Sequence, residues 1–390
     1  MKPMIDQKFM ADSPAEVGID DTKLEELLSR VRKEVDEGLL PSIQIAIARE
    51  GKLAAFETYG DAPDDALYCI FSATKGITSA AAWLLIQEGK LDVTQKVTSI
   101  IPEFGENGKA DITIEQLFTH TAGFPHAPFR PLLWADKQAT IQRFADWTLN
   151  WTPGSRFEYH PTSSMWVIAE IIERLSGQSY QSFVRERIAA PLGLEDMFVG
   201  APEEQHHRIA EIKHVGDPMT ADDYLKLGLA VPPVTEVTEG VLTSFNKTDI
   251  RKVPVPGGGG IMTAADVALF YQALVTGRSF DGEQIWHPET LQNAREVKTG
   301  GLNDLLTGNL INRGLGISVA GDENRNLRGF GHTNSPLSFG HAGAGGQIAW
   351  CDPATGISIG YCTNGHDRNP IREGRRSISI GNKAAICARL

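Results

Sequence analysis

The chain has 390 residues, 41% of them hydrophobic and 22% charged, with a formal net charge of −12. The length suits two or three lobes, or one interrupted domain, around a large core, and the composition is that of a compact globule rather than a disordered chain. The negative balance disfavours unassisted binding to phosphate backbones or anionic lipid, so nucleic acid is not an expected partner.

Met1 to Pro14 is polar and mixed in charge, with no apolar core or small-residue cleavage pattern, and no secretion signal is read there. The apolar run from Ile77 to Ile86 falls well short of the roughly 18 residues a membrane span needs, so no membrane segment is expected. Cys69, Cys351, Cys362 and Cys387 include no Cys-x-x-Cys pair and lie in apolar contexts suited to buried free thiols. A reducing cytoplasm is the expected location, with export after signal removal as the alternative.

In chain order, Leu24, Leu27, Leu28, Val31 and Val35 predict an amphipathic helix from Asp20 to Glu37, with Asp20 as its cap. Alternating Ile43, Ile45 and Ile47, a turn at Glu50-Gly51 and a return from Lys52 to Tyr59 predict a β-hairpin. Tyr68 to Gly76 then runs from apolar residues into Ser72, with Lys75 three positions on, at the mouth of a helix ending near Gly89. If Ser72 opens that helix, its hydroxyl and the Lys75 amine share a face. That is the minimum geometry for an activated serine nucleophile. The competing role for Ser72 is a helix N-cap, worth about 1 kcal/mol. The same spacing at Ser244 and Lys247 has no apolar helix behind it and reads as a loop.

From about Leu91 helices and loops dominate. Thr113 to Gly123 reads as a short helix running into a turn, Trp151 to Pro161 as a loop, Thr162 to Ser176 as a helix stopped by Gly177, and Tyr180 to Ala190 as another. His206 to Asp249, charged and broken by prolines, reads as excursion loops. Thr263 to Asp266 forms a capping box before a helix through Val275. Strand signals return at Leu315 to Ala320, Gly346 to Cys351 and Gly356 to Thr363. The economical architecture is α/β: a mostly antiparallel sheet built from residues 1–75 and 314–390 and flanked by the terminal helices, plus a mainly helical domain over 76–313.

A serine site needs a further proton-transfer group and an oxyanion donor. Tyr159 and the run His341-Ala342-Gly343-Ala344-Gly345-Gly346 are the candidates. With them the chain resembles the serine β-lactamase and penicillin-binding-protein superfamily, nearest the class C β-lactamases and the family VIII carboxylesterases. The resemblance runs from about Ser13 to Asp352. It rests on Ser72-x-x-Lys75, Leu117 to Gly123, Pro153-Gly154 to Tyr159, Pro191-Leu192-Gly193 and His341-x-Gly343, in that order.

The resemblance implies a β-lactamase-like fold and a role for each residue. Ser72 would be acylated. Lys75 would hydrogen-bond the Ser72 hydroxyl and the Tyr159 phenol, and Tyr159 would act as base in acylation and assist deacylation; which of the two holds the proton stays open. His341 replaces the lysine of Lys-Thr-Gly and would orient a substrate carbonyl or carboxylate without a permanent charge. The amides of Ser72 and Ala344 would form the oxyanion hole, with Gly343 and its neighbouring glycines letting substrate approach the strand edge. No metal or cofactor is implied. The substrate would be a small-molecule ester or related acyl compound, and the oligomeric state is left open.

Where β-lactamases read Tyr-x-Asn, this chain reads Tyr159-His160-Pro161, which has no side-chain amide for a lactam's acylamide group. With His341, that tilts the expectation toward carboxylic esters. A β-lactamase, a D-amino-acid peptidase, an acyltransferase and a catalytically silent binding protein are the alternatives. Ser244-Phe245-Asn246 fits the family's Ser-x-Asn form, but its loop context favours Tyr159. Several other features read as structural. Ser358 lies in a Gly-x-Ser-x-Gly pattern inside an alternating strand, His206-His207 reads as solvated, Gly257 to Gly260 as a flexible turn, and His120 as bonded within its own turn. Trp166 reads as core, whereas Phe129, Trp134 and Trp151 fit either an acyl pocket or core.

Overall fold

The computed structural model describes residues 5–228, 231, 237–305, 308–321 and 323–389. Asp20 accepts the Lys23 N–H and opens helix α1 (Asp21–Asp36), with Leu24, Leu27 and Val31 buried along one face. Strands β1 (Ser42–Arg49) and β2 (Lys52–Gly60) form the expected hairpin. Near the other end of the chain come β3 (Ser318–Val319), β4 (Phe339–Gly340), β5 (Ile348–Asp352) and β6 (Ile357–Thr363). They join into one antiparallel sheet of order β2-β1-β6-β5-β4-β3. Ile43 lies opposite Thr363 and Ala48 opposite Ser358, so the two ends of the chain meet at the centre of the sheet.

Alternation along β1 sorts the two faces. Ile43, Ile45 and Ile47 join Leu24, Leu27, Val31 and Ile380 under α1 and the terminal helix. Ala46 and Ala48 point the other way, toward the core shared with Ala264, Val267 and Ala268. Helix α2 (Thr74–Gln87) and helix α3 (Ser163–Ser176) pack on each other in the helical part, and α2 is buried from Thr74 to Leu85. Helix α4 (Ala264–Thr276) begins with the expected Thr263/Asp266 capping box and lies on β1 and β6. The sheet layer therefore draws on more than the two chain ends. Helix α5 (Pro370–Ala385) closes the opposite face, where Arg376 binds Glu34 of α1 at 2.6 Å and Asp367 at 2.9 Å.

The stretch from His206 to Asp249 is more ordered than loops. Lys213–Val215 pairs in parallel with Gly365–Asp367, and short helices cover Ala221–Lys226, Glu239–Thr243 and Thr248–Arg251. Thr220 and Thr238 cap the first two through side chains, a local signal that the surrounding charges and prolines hide. Residues 229–230 and 232–236 of that expectation lie outside the described residues. All four cysteines are buried free thiols. Among the described residues no helix is long and apolar enough to cross a membrane.

Small residues let α4 approach the sheet closely. A Cβ at Gly360 would stand 2.0 Å from the Ala264 carbonyl oxygen and 2.9 Å from Val267 Cβ. Gly360→Ala is expected to destabilise the protein by about 1–3 kcal/mol or more through overpacking, measured as a lower urea midpoint.

Candidate active site

A short sheet sets the Ser72 turn. Tyr68–Cys69 pairs antiparallel with Gly260–Met262, and the Ile70 N–H donates to the Gly260 carbonyl at 2.9 Å. The chain then turns at Phe71, a non-glycine residue with φ 45°, a left-handed conformation that persists only when its surroundings hold it. Here the Phe71 ring packs edge-on against Phe245 and His366, with centroids at 5.5 and 4.8 Å. A 3-10 turn over Phe71–Ala73 leads into α2 at Thr74, leaving Ser72 partly exposed between buried neighbours. Neither the turn nor α2 has a side-chain N-cap bond, so the Ser72 hydroxyl is not used as a cap.

The hydroxyl instead meets Lys75. Lys75 is fully buried, and its Nζ lies 3.1 Å from Ser72 Oγ, 2.7 Å from the Pro161 carbonyl oxygen and 2.8 Å from the Gly257 carbonyl oxygen. Carbonyls only accept, so two N–H bonds are committed to them. The third position faces Ser72: it holds an N–H if Lys75 is charged and the lone pair if it is neutral. Burial holds the Lys75 pKa below the ordinary lysine value, with Tyr159 opposing this and Arg313 reinforcing it.

Tyr159 stands beside this pair, with Lys75 Nζ 5.1 Å from its ring centroid. Pro161 and Gly257 take the two Lys75 N–H groups not directed at Ser72, while Lys75 and Ser72 both stand close enough to the phenol for hydrogen bonding to favour its ionised form. The Tyr159 hydroxyl oxygen is buried, and among the described residues no bond to it is fully formed. Burial alone would raise the phenol's pKa, but Lys75 and then Arg313 outweigh it and the net direction is downward. The loop carrying Tyr159 is braced from below. His160 Nδ1 donates to the Glu158 carbonyl at 2.7 Å, its Nε2 accepts the Phe124 N–H at 3.2 Å, and the His160 N–H donates to His120 Nδ1 at 3.2 Å. His120 is thus tied to the Tyr159 loop rather than bonded within its own turn, and its ring centroid lies 4.6 Å from that of Tyr159.

His341 extends β4, its N–H donating to the Ala349 carbonyl at 3.0 Å. Its Nδ1 donates to the Ala342 carbonyl at 2.8 Å, which leaves Nε2 unprotonated in the neutral ring; Nε2 is buried and unpartnered among the described residues. Burial, then Arg313 and Lys75, hold its pKa well below the ordinary histidine value. A neutral ring in this tautomer offers an acceptor, whereas orienting a carbonyl or carboxylate calls for a donor. Gly343 exchanges hydrogen bonds with Gln347 in a turn whose Gly345 and Gly346 have φ 82° and 88°. A Cβ at Gly343 would stand 2.1 Å from the Ile70 carbonyl oxygen, so the glycine lets this turn lie directly on the Ser72 turn. Among the described residues nothing accepts from the Ser72 or Ala344 N–H.

Three participants escape motif reading. The Pro161 carbonyl supplies one anchor for Lys75 where the family pattern draws attention to a side chain. Gly257 supplies the other, so the glycine run is not a free turn; Cβ atoms at Gly257 and Gly260 would lie 3.4 Å from Lys75 Nζ and 2.7 Å from Thr74 Oγ1. Arg313, which no local pattern marks, places its guanidinium carbon 5.5 Å from the Tyr159 ring centroid. Other expected features lie elsewhere. Ser358 Oγ donates to the Ala268 carbonyl inside the core, and Ser244 Oγ donates to the Val241 carbonyl. His206 and His207 each bond a nearby carbonyl, and no metal-holding group of His, Cys, Asp and Glu occurs among the described residues. Phe129, Trp134 and Trp166 pack ring against ring, edge-on or tilted, in the helical core, while Trp151 donates to Glu158 of the Tyr159 loop.

Known proteins share this arrangement of elements. The chain is similar to the esterase/beta-lactamase LipL of Mycobacterium tuberculosis, 27% identical over 321 residues covering 77% of this chain and 70% of that protein. A penicillin-binding protein homologue from Caulobacter crescentus is 26% identical, with a TM-score of 0.75 over 94% of this chain and 99% of that one. A family VIII carboxylesterase has the same fold, at 24% identity and a TM-score of 0.77, again over 94% and 99%. Residues 27–378 match the beta-lactamase family, and the chain belongs to that family, with the hydrolase fold of the beta-lactamase and penicillin-binding-protein superfamily.

Proposed function

We propose that this hydrolase cleaves small carboxylic esters through an acyl-enzyme on Ser72. The observation that carries the reading is the Lys75 ammonium site, fully buried and pinned by two carbonyls so that its third position faces Ser72 Oγ. In acylation Ser72 Oγ attacks the ester carbonyl while its proton passes to Lys75 or Tyr159. The carbonyl oxygen gathers negative charge against the N–H groups of Ser72 and Ala344. Collapse expels the alkoxide, which takes a proton back from the same pair. Water then enters by the same route, losing its proton to Tyr159 as it attacks the acyl carbon; the bond to Ser72 Oγ breaks, that oxygen takes a proton back from the Lys75–Tyr159 pair, and the carboxylic acid leaves.

Esters fit better than lactams for a physical reason. At the position where a side-chain amide would grip an acylamide group stands Pro161, whose carbonyl is already bound to Lys75. Neutral His341 adds no fixed charge for a lactam's carboxylate. The relative LipL, named both esterase and beta-lactamase, supports placing the two chemistries side by side. A D-amino-acid peptidase is the second reading, favoured by the likeness to a penicillin-binding protein homologue.

Ser72→Ala is expected to abolish turnover of a short-chain nitrophenyl ester, and Lys75→Ala and Tyr159→Phe to lower kcat/KM by about 10²–10⁴-fold. Intact-mass measurement with a fluorophosphonate should find one adduct on the wild type and none on Ser72→Ala; unchanged turnover in that variant would end the reading. A chromogenic cephalosporin and a D-alanyl peptide are expected to react with lower kcat/KM than the ester, and the reverse order would move the assignment to lactamase or peptidase.

The pH dependence follows from the same groups. A base works only when deprotonated, so kcat/KM should fall on acidification through the lowered pKa values of Lys75 and Tyr159. Activity is therefore expected to rise at a pH below the ordinary range for lysine and tyrosine, near 10. His341 is already neutral there, so His341→Asn should leave the position of that acidic limb unchanged in a pH–rate profile.

A further inference from the structure

Around Tyr159 the described residues place two cations with different characters. Lys75 is a proton carrier whose charge changes during the reaction proposed above. Arg313 cannot give up its proton in the working range. It reaches the site from a segment fixed elsewhere: the Lys298 N–H donates to the Arg313 carbonyl at 2.7 Å, and the Arg313 N–H donates to Thr299 Oγ1 at 3.3 Å. Its guanidinium carbon lies 5.5 Å from the Tyr159 ring centroid and 6.0 Å from that of Phe157. Nη1 is buried and has no hydrogen-bond partner among the described residues. Burial holds the Arg313 pKa below its ordinary value, with Tyr159 and then Asp304 opposing this, and the guanidinium still keeps its proton at working pH.

The other groups facing Tyr159 do not duplicate that charge. His341 and His120 are buried and kept neutral, each with Arg313 among the causes. Ser72 brings a hydroxyl. When Lys75 is neutral and ready to accept the Ser72 proton, Arg313 is the positive group still acting on the phenol.

We propose that Arg313 is a positioning residue whose permanent charge, held against the Tyr159 ring, makes the phenol oxygen a proton acceptor in the step that activates Ser72. This rests on the serine acyl-enzyme reading and deepens it by assigning the fixed charge of the site to a residue outside the recurring motifs. Burial pulls against an ionised phenol, and Lys75 followed by Arg313 overcome it. Without Arg313, the phenol would ionise only while Lys75 stayed protonated, and the two groups could not both be bases.

The test follows the rate of fluorophosphonate addition to Ser72 against pH, read by intact mass, in the wild type and in Arg313→Lys, Arg313→Gln and Arg313→Met. The Gln and Met variants are expected to move the acidic limb to higher pH and to slow labelling at pH 7 by about 10- to 100-fold, the size set by a unit charge acting at an effective dielectric of about 20. Arg313→Lys should keep the limb near its wild-type position. A limb that stays in place in the Gln and Met variants overturns the proposal, whatever their absolute rates. As a check that needs no labelling of Ser72, Tyr159 is followed by NMR of ring-labelled tyrosine in the wild type and in Arg313→Gln, and assigned with Tyr159→Phe. A titration that moves to higher pH in Arg313→Gln supports the proposal, and one that stays in place overturns it. Failure of the wild type to label at all would instead strike the acyl-enzyme reading, and the NMR titration would still judge Arg313.

Discussion

The rest of the site is arranged around one ammonium group that has been deprived of water. Lys75 keeps no solvent contact and answers to two backbone carbonyls and one serine hydroxyl. Desolvation makes its charge costly, and the fixed carbonyls settle where its remaining valence points. A lysine on an exposed helix would have neither property. Much of the surrounding structure serves that placement: a fully packed α2, the Tyr159 loop that presents the Pro161 carbonyl, and a glycine run close enough for Gly257 to be the second anchor.

Close approach of backbones is the second recurring theme. Gly343 sits on the Ile70 carbonyl, Gly260 on Thr74, and Gly360 against α4, each where a Cβ would collide with its neighbour. The turn that carries Ser72 and the turn that carries Ala344 belong to distant parts of the chain, yet at Gly343 they lie directly on one another. The N–H groups of Ser72 and Ala344, from which nothing accepts among the described residues, belong to these two touching turns.

Much of the fold was legible because its signals are periodic. The α1 stripe, the β1–β2 hairpin and the Thr263 capping box depend on spacing within a short window, and so does the shared face of Ser72 and Lys75. Other parts depend on contacts that spacing does not encode. The carbonyls of Pro161 and Gly257 are backbone atoms, and any residue type has them. Arg313 lies in no pattern and matters only through where its segment is tied. The position of the proton on His341 follows from a single neighbouring carbonyl, and the placement of α4 on the sheet follows from small residues on strands far away in sequence.

The pairing of Ile43 with Thr363 has a consequence for biosynthesis. At about 5–20 residues per second, β1 waits roughly 15–60 s on the ribosome before its central partner strand is made. Throughout that interval the hairpin has an open, apolar edge, the kind of surface that invites pairing with other chains. The turn bearing Ala344 also emerges late, so the contact of Gly343 with the Ile70 carbonyl waits for the same final part of the chain. The two turns of the candidate site therefore meet only as the sheet closes.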